Sequence, residues 1–215
     1  MSSRESSLGE RLNAKLAAAG LAPLDAAQAG RFEDLYSLFV RWNARINLSS
    51  IRDDEGILSR HFVESIACAW ALPPGISTLL DFGSGGGFPG IPIAICRPEI
   101  AVTLAESQGK KAAFLQEAVR VLGITAKVHA KRAELLDAQF GCVALRAVDK
   151  MAEAVKAAAR LVAPGGWLVL MTTQGELEGL QSAVGTGFSW TDILALPGGQ
   201  ERLFALGERR VSSPA

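Results

Sequence analysis

Apolar residues recur at helical spacing through the first third of the chain. In LGERLNAKLAAA, Leu8, Leu12 and Leu16 stand four apart, on one face of a helix. FEDLYSLFVRW repeats the rhythm with Phe32, Leu35, Leu38, Phe39 and Trp42. DDEGILSRHFVESIACAW opens with acids that suit a helix N-terminus. The spacing predicts helices across 8–70, and LPPG at 72–75 stops the last of them. From residue 76 strand-like runs alternate with helical ones. The strands are expected at 77–82, 101–106, 126–130, 142–147 and 167–172. GIPIAICR, GKKAAFLQEAVRVL and KMAEAVKAAARLV lie between them with helical spacing. Strand, crossover helix, strand predicts an α/β fold with a mostly parallel sheet covered on both faces. A further helix is expected near 174–184, and WTDILAL and ERLFALGER, joined by PGGQ, read as a terminal antiparallel hairpin.

The first strand runs into DFGSGGGFPG, residues 81–90. Gly83, Gly85, Gly87 and Gly90 let the backbone take positive φ or approach another object closely. Pro89 and Pro92 suit the first turn of the helix that follows. The bend is either a plain turn or a bed for a ligand. Ligands of open parallel sheets bind beyond the carboxyl ends of the strands, where strand order reverses, and this is such a place. Glu106, at the end of the second strand, is where a ribose-binding carboxylate is expected, because a carboxylate accepts two hydrogen bonds from a diol. Two ligands fit. Gly85, Gly87 and Gly90 spell the GxGxxG of a dinucleotide site, and S-adenosylmethionine lies over a similar loop. The second is favoured by the lack of room for a separate substrate domain, by the glycine-turned strand in LVAPGGWLVLM, and by the terminal hairpin, which suits a seven-stranded sheet.

Composition narrows the setting. With 215 residues and 49% hydrophobic content, one main globular domain is expected. No run is long and apolar enough to span a bilayer, and no secretion signal is read at the start. Cys68, Cys96 and Cys142 lack CxxC spacing and there are two histidines, so neither a disulfide framework nor a metal site is expected and the cytoplasm is the expected compartment. The 22 basic and 22 acidic residues cancel, so any nucleic-acid binding needs basic residues gathered on one face.

Four segments together resemble a known family. WNARINLSSIRDDEGILSRHFVESIA, LLDFGSGGGFPGIPIAICRPE, VTLAESQGKKAAFLQE and LRAV are similar to the RsmG (GidB) family of bacterial small-subunit rRNA guanine-N7 methyltransferases, over roughly residues 30–205. The resemblance implies a Rossmann-like class I methyltransferase of seven strands. A helical extension, 1–75, would pack on a methyltransferase domain, 76–210, with a tail at 211–215. It implies S-adenosylmethionine as cofactor and a guanine in the decoding-centre hairpin loop of 16S rRNA, within the small ribosomal subunit, as substrate. A monomer is expected. Gly83, Ser84, Gly85 and Phe88 would contact the cofactor from the loop, Glu106 its ribose, Ala133 and Glu134 its adenine. Arg146 would face its far side or the incoming base. The chain departs from the family pattern at Gly141, where an acid is usual, and at Leu145, where a small polar residue is common.

No general base, Asn/Asp-Pro-Pro-aromatic motif or Pro-Cys nucleophile is read, and N7 methylation needs none. The N7 lone pair lies in the ring plane and carries no proton at neutral pH. Alignment alone can then supply ~7–11 kcal/mol in favourable cases. Lys110 and Lys111 open a helix beyond Glu106, where cations oppose the helix dipole and invite an anion such as phosphate. Arg52 and Arg60 are expected to extend that RNA-binding face. His61 reads as structural, Phe39 and Trp42 as core, Asn47 as a loop brace, and Arg97, Lys127, Lys131 and Arg132 as surface charges. The alternatives are a same-fold methyltransferase acting on a small molecule or protein, and a non-catalytic NAD-binding module.

Overall fold

Two capping boxes start the leader. In the computed structural model, which describes residues 6–198 and 201–211, the Ser7 hydroxyl accepts from Glu10 N at 3.2 Å while the Glu10 carboxylate accepts from Ser7 N at 2.9 Å. This begins α1 (Leu8–Ala18), and Asp25 and Gln28 do the same for α2 (Ala26–Ile46). Helix α2 buries Phe32, Leu35, Leu38 and Phe39 and ends at Asn47, whose φ of 54° reverses the chain. Then α3 (Asp54–Gly56), a π-helical stretch (Ile57–Val63) and α4 (Glu64–Ala71) follow with helical backbone at each junction. A π turn carries an extra residue and re-aims its side chains, and such turns are frequent at functional sites. Here it carries Arg60 and His61, with Glu64 just after it.

The sheet comprises β1 (Thr78–Phe82), β2 (Ala101–Ala105), β3 (Ala126–His129), β4 (Phe140–Arg146), β5 (Val162–Thr173), β6 (Phe188–Ala195) and β7 (Arg202–Arg209), in the order β3-β2-β1-β4-β5-β7-β6. Strands β1 to β5 pair in parallel. Strand β7 runs antiparallel between β5 and β6. Helices α5 (Gly90–Cys96), α6 (Gly109–Leu122), α7 (Met151–Leu161) and α8 (Gln174–Val184) connect the strands, with a short 3-10 turn at Ala133–Leu135.

Period-2 alternation divides the core. Leu79, Val102, Leu104, Cys142 and Ala144 face α5, α6 and the leader helices. Leu80, Phe82, Val143, Leu145 and Leu168 face α7 and α8. The leader shares the first of these cores. It is also tied to α6 by Trp42 Nε1 donating to Glu117 at 2.9 Å and by Arg41 donating to the same carboxylate at 2.7 Å.

Three differences from the sequence reading have physical causes. Strand β5 begins at Val162, five residues early. It pairs Val162 with Phe140 and resumes at Trp167–Cys142, so the intervening APGG forms an irregularity inside the strand instead of a turn before it. Trp42 is half-buried at the core's edge, using its indole N–H on Glu117. Arg97 is no ordinary surface charge: its guanidinium donates to the carbonyls of Ala69 and Leu72 and closes the end of α4. The three cysteines are free and buried. Among the described residues no helix is long and apolar enough to cross a membrane. The expected hairpin loop extends to 199–200 and the tail to 212–215, which lie outside the described residues.

Candidate active site

The strand order reverses at β1, which sits between β2 and β4. Beyond the carboxyl ends of these strands lies a cleft of about 720 Å³. The DFGSGGGFPG bend forms its floor, and its glycines divide by role. Gly87 and Gly90 are packing glycines: a Cβ on Gly87 would meet Ile91 Cδ1 at 2.4 Å, and one on Gly90 would meet Leu104 at 2.4 Å and Asp81 Oδ2 at 2.5 Å. Gly83 and Gly85 take φ of 75° and 52°. At Gly85 a Cβ would meet nothing closer than 3.9 Å; at Gly83 it would press on Val148 in the cleft wall at 3.1 Å.

Hydrogen bonds fix the bend. Gly83 N and Ser84 N donate to Ala105 O, Gly87 N to Ser84 O, and the Ser84 hydroxyl to Asp81 O. Asp81, buried at 1% exposure, accepts from Gly90 N at 3.1 Å. Burial pushes its carboxyl up to about 7. Glu106, at 7% exposure, accepts from Gly85 N at 3.0 Å through one oxygen and from Gln108 N at 2.7 Å through the other. Both oxygens retain a lone pair, and the group lines the cleft, so it can still receive a diol.

The remaining walls come from distant segments. Ala133 and Glu134 enter after β3, and Arg132 beside Glu134 at 2.9 Å holds that carboxyl below its usual range. Arg146 ends β4. Leu48, Ser49 and Ser50 arrive from the leader, on a loop braced by buried Asn43, which accepts from Ser49 N and donates to Ile51 O. Phe88 is mostly buried, stacked on His61 at 4.6 Å and edge-on to Phe39, and offers one margin to the cleft. The His61 ring bonds Ser49 Oγ through Nε2 at 2.9 Å, while its buried Nδ1 has no hydrogen-bond partner. Burial, with Arg146 and Arg60 nearby, lowers it to about 3, so the ring is neutral.

The cleft thus gathers Gly83, Ser84, Gly85, Phe88, Glu106, Ala133, Glu134 and Arg146. Of the basic residues read for RNA, Lys111 lines it and Lys110 lies outside. Arg52 is turned to the leader loop, donating to Asn47 Oδ1 and Asn43 O. Arg60 lines a second cavity. Lys131 and Arg132, read as ordinary charges, line the cleft rim. The Leu48–Ser50 loop and Arg202 escaped the sequence reading. INLSS carries no motif of its own, and Arg202 lies 138 residues from the carboxylate it meets.

Three arginines, Arg60, Arg146 and Arg202, gather around Glu64. Glu64 is 1% exposed. Its Oε2 accepts from Arg146 at 3.0 Å, its Oε1 from Arg202 at 2.7 Å, and Arg60 Nε lies 3.4 Å from Oε1. Arg146 also donates to Arg60 O and approaches Ser65 Oγ at 3.5 Å. Desolvation lowers its guanidinium below the usual value despite Glu64. One buried carboxylate thus locks the end of β4 to the π-helical leader and to β7.

Comparison with known proteins agrees with this geometry. The fold matches a methyltransferase from Pyrococcus furiosus with a TM-score of 0.62 at 12% identity, covering 85% of this chain and all of that one. It also matches a SAM-dependent methyltransferase from Aquifex aeolicus with a TM-score of 0.58 at 14% identity, covering 73% of this chain and 94% of that one. In sequence the chain is 43% identical, over 151 residues, to the ribosomal RNA small subunit methyltransferase G of Xanthomonas euvesicatoria, covering 69% of this chain and 70% of that protein. The family model for GidB, rRNA small subunit methyltransferase G, matches residues 28–185. Cleft, fold and sequence therefore lead to one conclusion: this chain belongs to the GidB family of small-subunit ribosomal RNA methyltransferases, built on the fold of enzymes that take their methyl group from S-adenosylmethionine.

Proposed function

We propose that the chain methylates N7 of a guanine in the decoding-centre hairpin loop of 16S rRNA, acting as a cytoplasmic monomer on RNA within the small ribosomal subunit. The observation that carries the cofactor assignment is the convergence of the Gly83–Gly85 bend, Glu106, Ala133–Glu134 and Arg146 on one cleft. The groups fit. Gly83 and Gly85 keep the backbone bare where a nucleoside must approach, and Glu106 is already aimed by two amides. Glu106 would hold the ribose hydroxyls, with Ala133 and Glu134 beside the adenine. S-adenosylmethionine would supply an electrophilic methyl on a sulfonium.

The chain's own task is then alignment. Its residues need move no proton, because N7 has none to lose. Glu64 and Arg60 O hold Arg146 at the boundary between the cleft and the second cavity, where the acceptor base must arrive. Such pre-set positioning is the proximity effect that the chemistry requires. Lys111 at the cleft, with Lys110 beside it on α6, supplies positive charge for the RNA backbone.

Labelled methyl transfer from S-adenosylmethionine to small subunits purified from cells lacking this modification tests the reading. Methyl is expected at one guanine N7, and transfer only to free small molecules or protein would overturn it. S-adenosylhomocysteine is expected to raise the melting temperature while NAD does not, and the reverse would remove the methyltransferase reading. Reversing both lysines, Lys110→Glu with Lys111→Glu, is expected to weaken subunit binding with little change in cofactor affinity.

A further inference from the structure

Beside the cofactor cleft lies a second cavity of about 250 Å³, at the carboxyl ends of β4 and β5. The two share Arg146, Ala147 and Val148 as a common wall. We propose that this second cavity receives the target nucleotide, unstacked from the RNA, with Arg60 and Arg202 holding its phosphate and the Met151–Met171 wall taking its base.

The charge arrangement supports the phosphate site. Three guanidinium groups, of Arg60, Arg146 and Arg202, surround the single carboxylate of Glu64. The other carboxylate of the cavity, Glu176, is engaged elsewhere: its Oε2 accepts from the hydroxyls of Thr172 and Thr173 at 2.8 and 3.0 Å. Set against both carboxylates of the cavity, Glu64 and Glu176, the three guanidinium groups leave one positive charge in excess. Arg146 spends three of its five N–H donors on Arg60 O, Glu64 and Ser65. Arg202 binds Glu64 through Nε and one terminal nitrogen, leaving the other terminal nitrogen for a ligand. Arg60 Nε is buried and forms no hydrogen bond. Their side chains are 24% and 41% exposed, so both reach solvent while rooted at Glu64. A planar guanidinium matches a phosphate in two-point fashion, and its anchoring reduces the ordering cost of binding.

The base half follows from the walls. Val148, Met151, Met171 and Leu196 give the cavity an apolar surface against which a purine can lie. Enzymes that do chemistry on a base commonly draw it out of its stack into a pocket, and a loop nucleotide is the least costly to draw out. The shared wall sets this pocket next to the cofactor cleft, so a base held here points an edge toward the donor.

This inference rests on the methyltransferase reading, and the experiment separates the two. Arg202→Ala and Arg202→Lys would be compared with wild type for methyl transfer to unmodified small subunits across a KCl series at fixed magnesium. Arg202→Ala is expected to raise KM about tenfold with kcat nearly unchanged, and to make the log–log salt dependence of kcat/KM shallower by about one. Arg202→Lys keeps the charge but not the fork, so it is expected to keep the wild-type salt slope with an intermediate KM. Calorimetry with S-adenosylhomocysteine is expected to give wild-type affinity for both variants. A lowered melting temperature with unchanged KM and salt slope would make Arg202 purely structural and overturn the proposal. If wild type itself fails to methylate the subunits, the function fails and takes the pocket with it. If wild type succeeds and Arg202→Ala behaves identically, only the pocket fails.

Discussion

Asp81 and His61, both buried beside the cleft, pull the pH dependence of stability in opposite directions. The Asp81 carboxyl is raised from an ordinary 3.8 to about 7. Between those values the folded chain holds a proton that the unfolded chain has lost, so this contribution is full below about 4 and is lost as pH rises to about 7. His61 is lowered from 6.5 to about 3. Its contribution is full above 6.5 and is lost as pH falls toward 3. Subtracting Asp81→Asn from wild type in urea titrations is expected to leave a stability difference that declines from pH 4 to 7. Subtracting His61→Phe is expected to leave one that rises over the same window. A flat difference in either series would refute the corresponding assignment. At the same scale, Gly83→Val forces a branched side chain onto φ of 75° and against Val148, so calorimetry is expected to show cofactor binding lost. The glycine bend was legible in the sequence as a tight bend beyond the first strand. The separation of Gly83 and Gly85 from Gly87 and Gly90 was not, because it depends on Ile91 and Leu104 folding back over the latter pair.

Among elements, α2 reaches the floor of the cleft through one ring. Phe39 of α2 is fully buried, packs edge-on to Phe88 and Phe114, and lies 3.1 Å from where a Cβ on Gly86 would stand. Phe39→Ala is expected to cost about 3–5 kcal/mol in chemical denaturation, as large-to-small aromatic changes in cores do. It is also expected to weaken S-adenosylhomocysteine binding, because Phe88 and the bend lose their seat. Unchanged ligand affinity would make Phe39 a core residue without influence on the site. Helical periodicity disclosed α1, α2 and α4, and short strand-like runs set between helical ones disclosed β1 to β4. The π-helical stretch was not legible: ILSRHFV has ordinary helical composition, and its extra residue is accommodated by tertiary contacts of His61 and Glu64. For the same reason Arg60 could be nominated for RNA from its leader position, but its grouping with Arg146 and Arg202 required three separate segments to meet.

Across the whole molecule the formal charge is zero, and the cleft with the cavity beside it is lined by seven basic and six acidic residues. Lys111, Lys131 and Arg132 edge the cleft, and Arg60 and Arg202 line the cavity beside it. RNA binding at this proposed face is expected to weaken as salt is added. The strand order has a different outcome for the chain as it is made. Strand β7 follows the other six in the chain and occupies the gap between β5 and β6, and among the described residues β6 pairs with no other strand. Until residues 202–209 leave the ribosome, two rows of backbone amides and carbonyls stand open to any neighbouring polypeptide. A chain terminated after residue 198 is expected to sediment with aggregates, and its recovery in the supernatant would contradict this. The strand that fills the gap between β5 and β6 is also the one that brings Arg202 to Glu64, so closing the sheet and completing the charge cluster depend on the same eight residues.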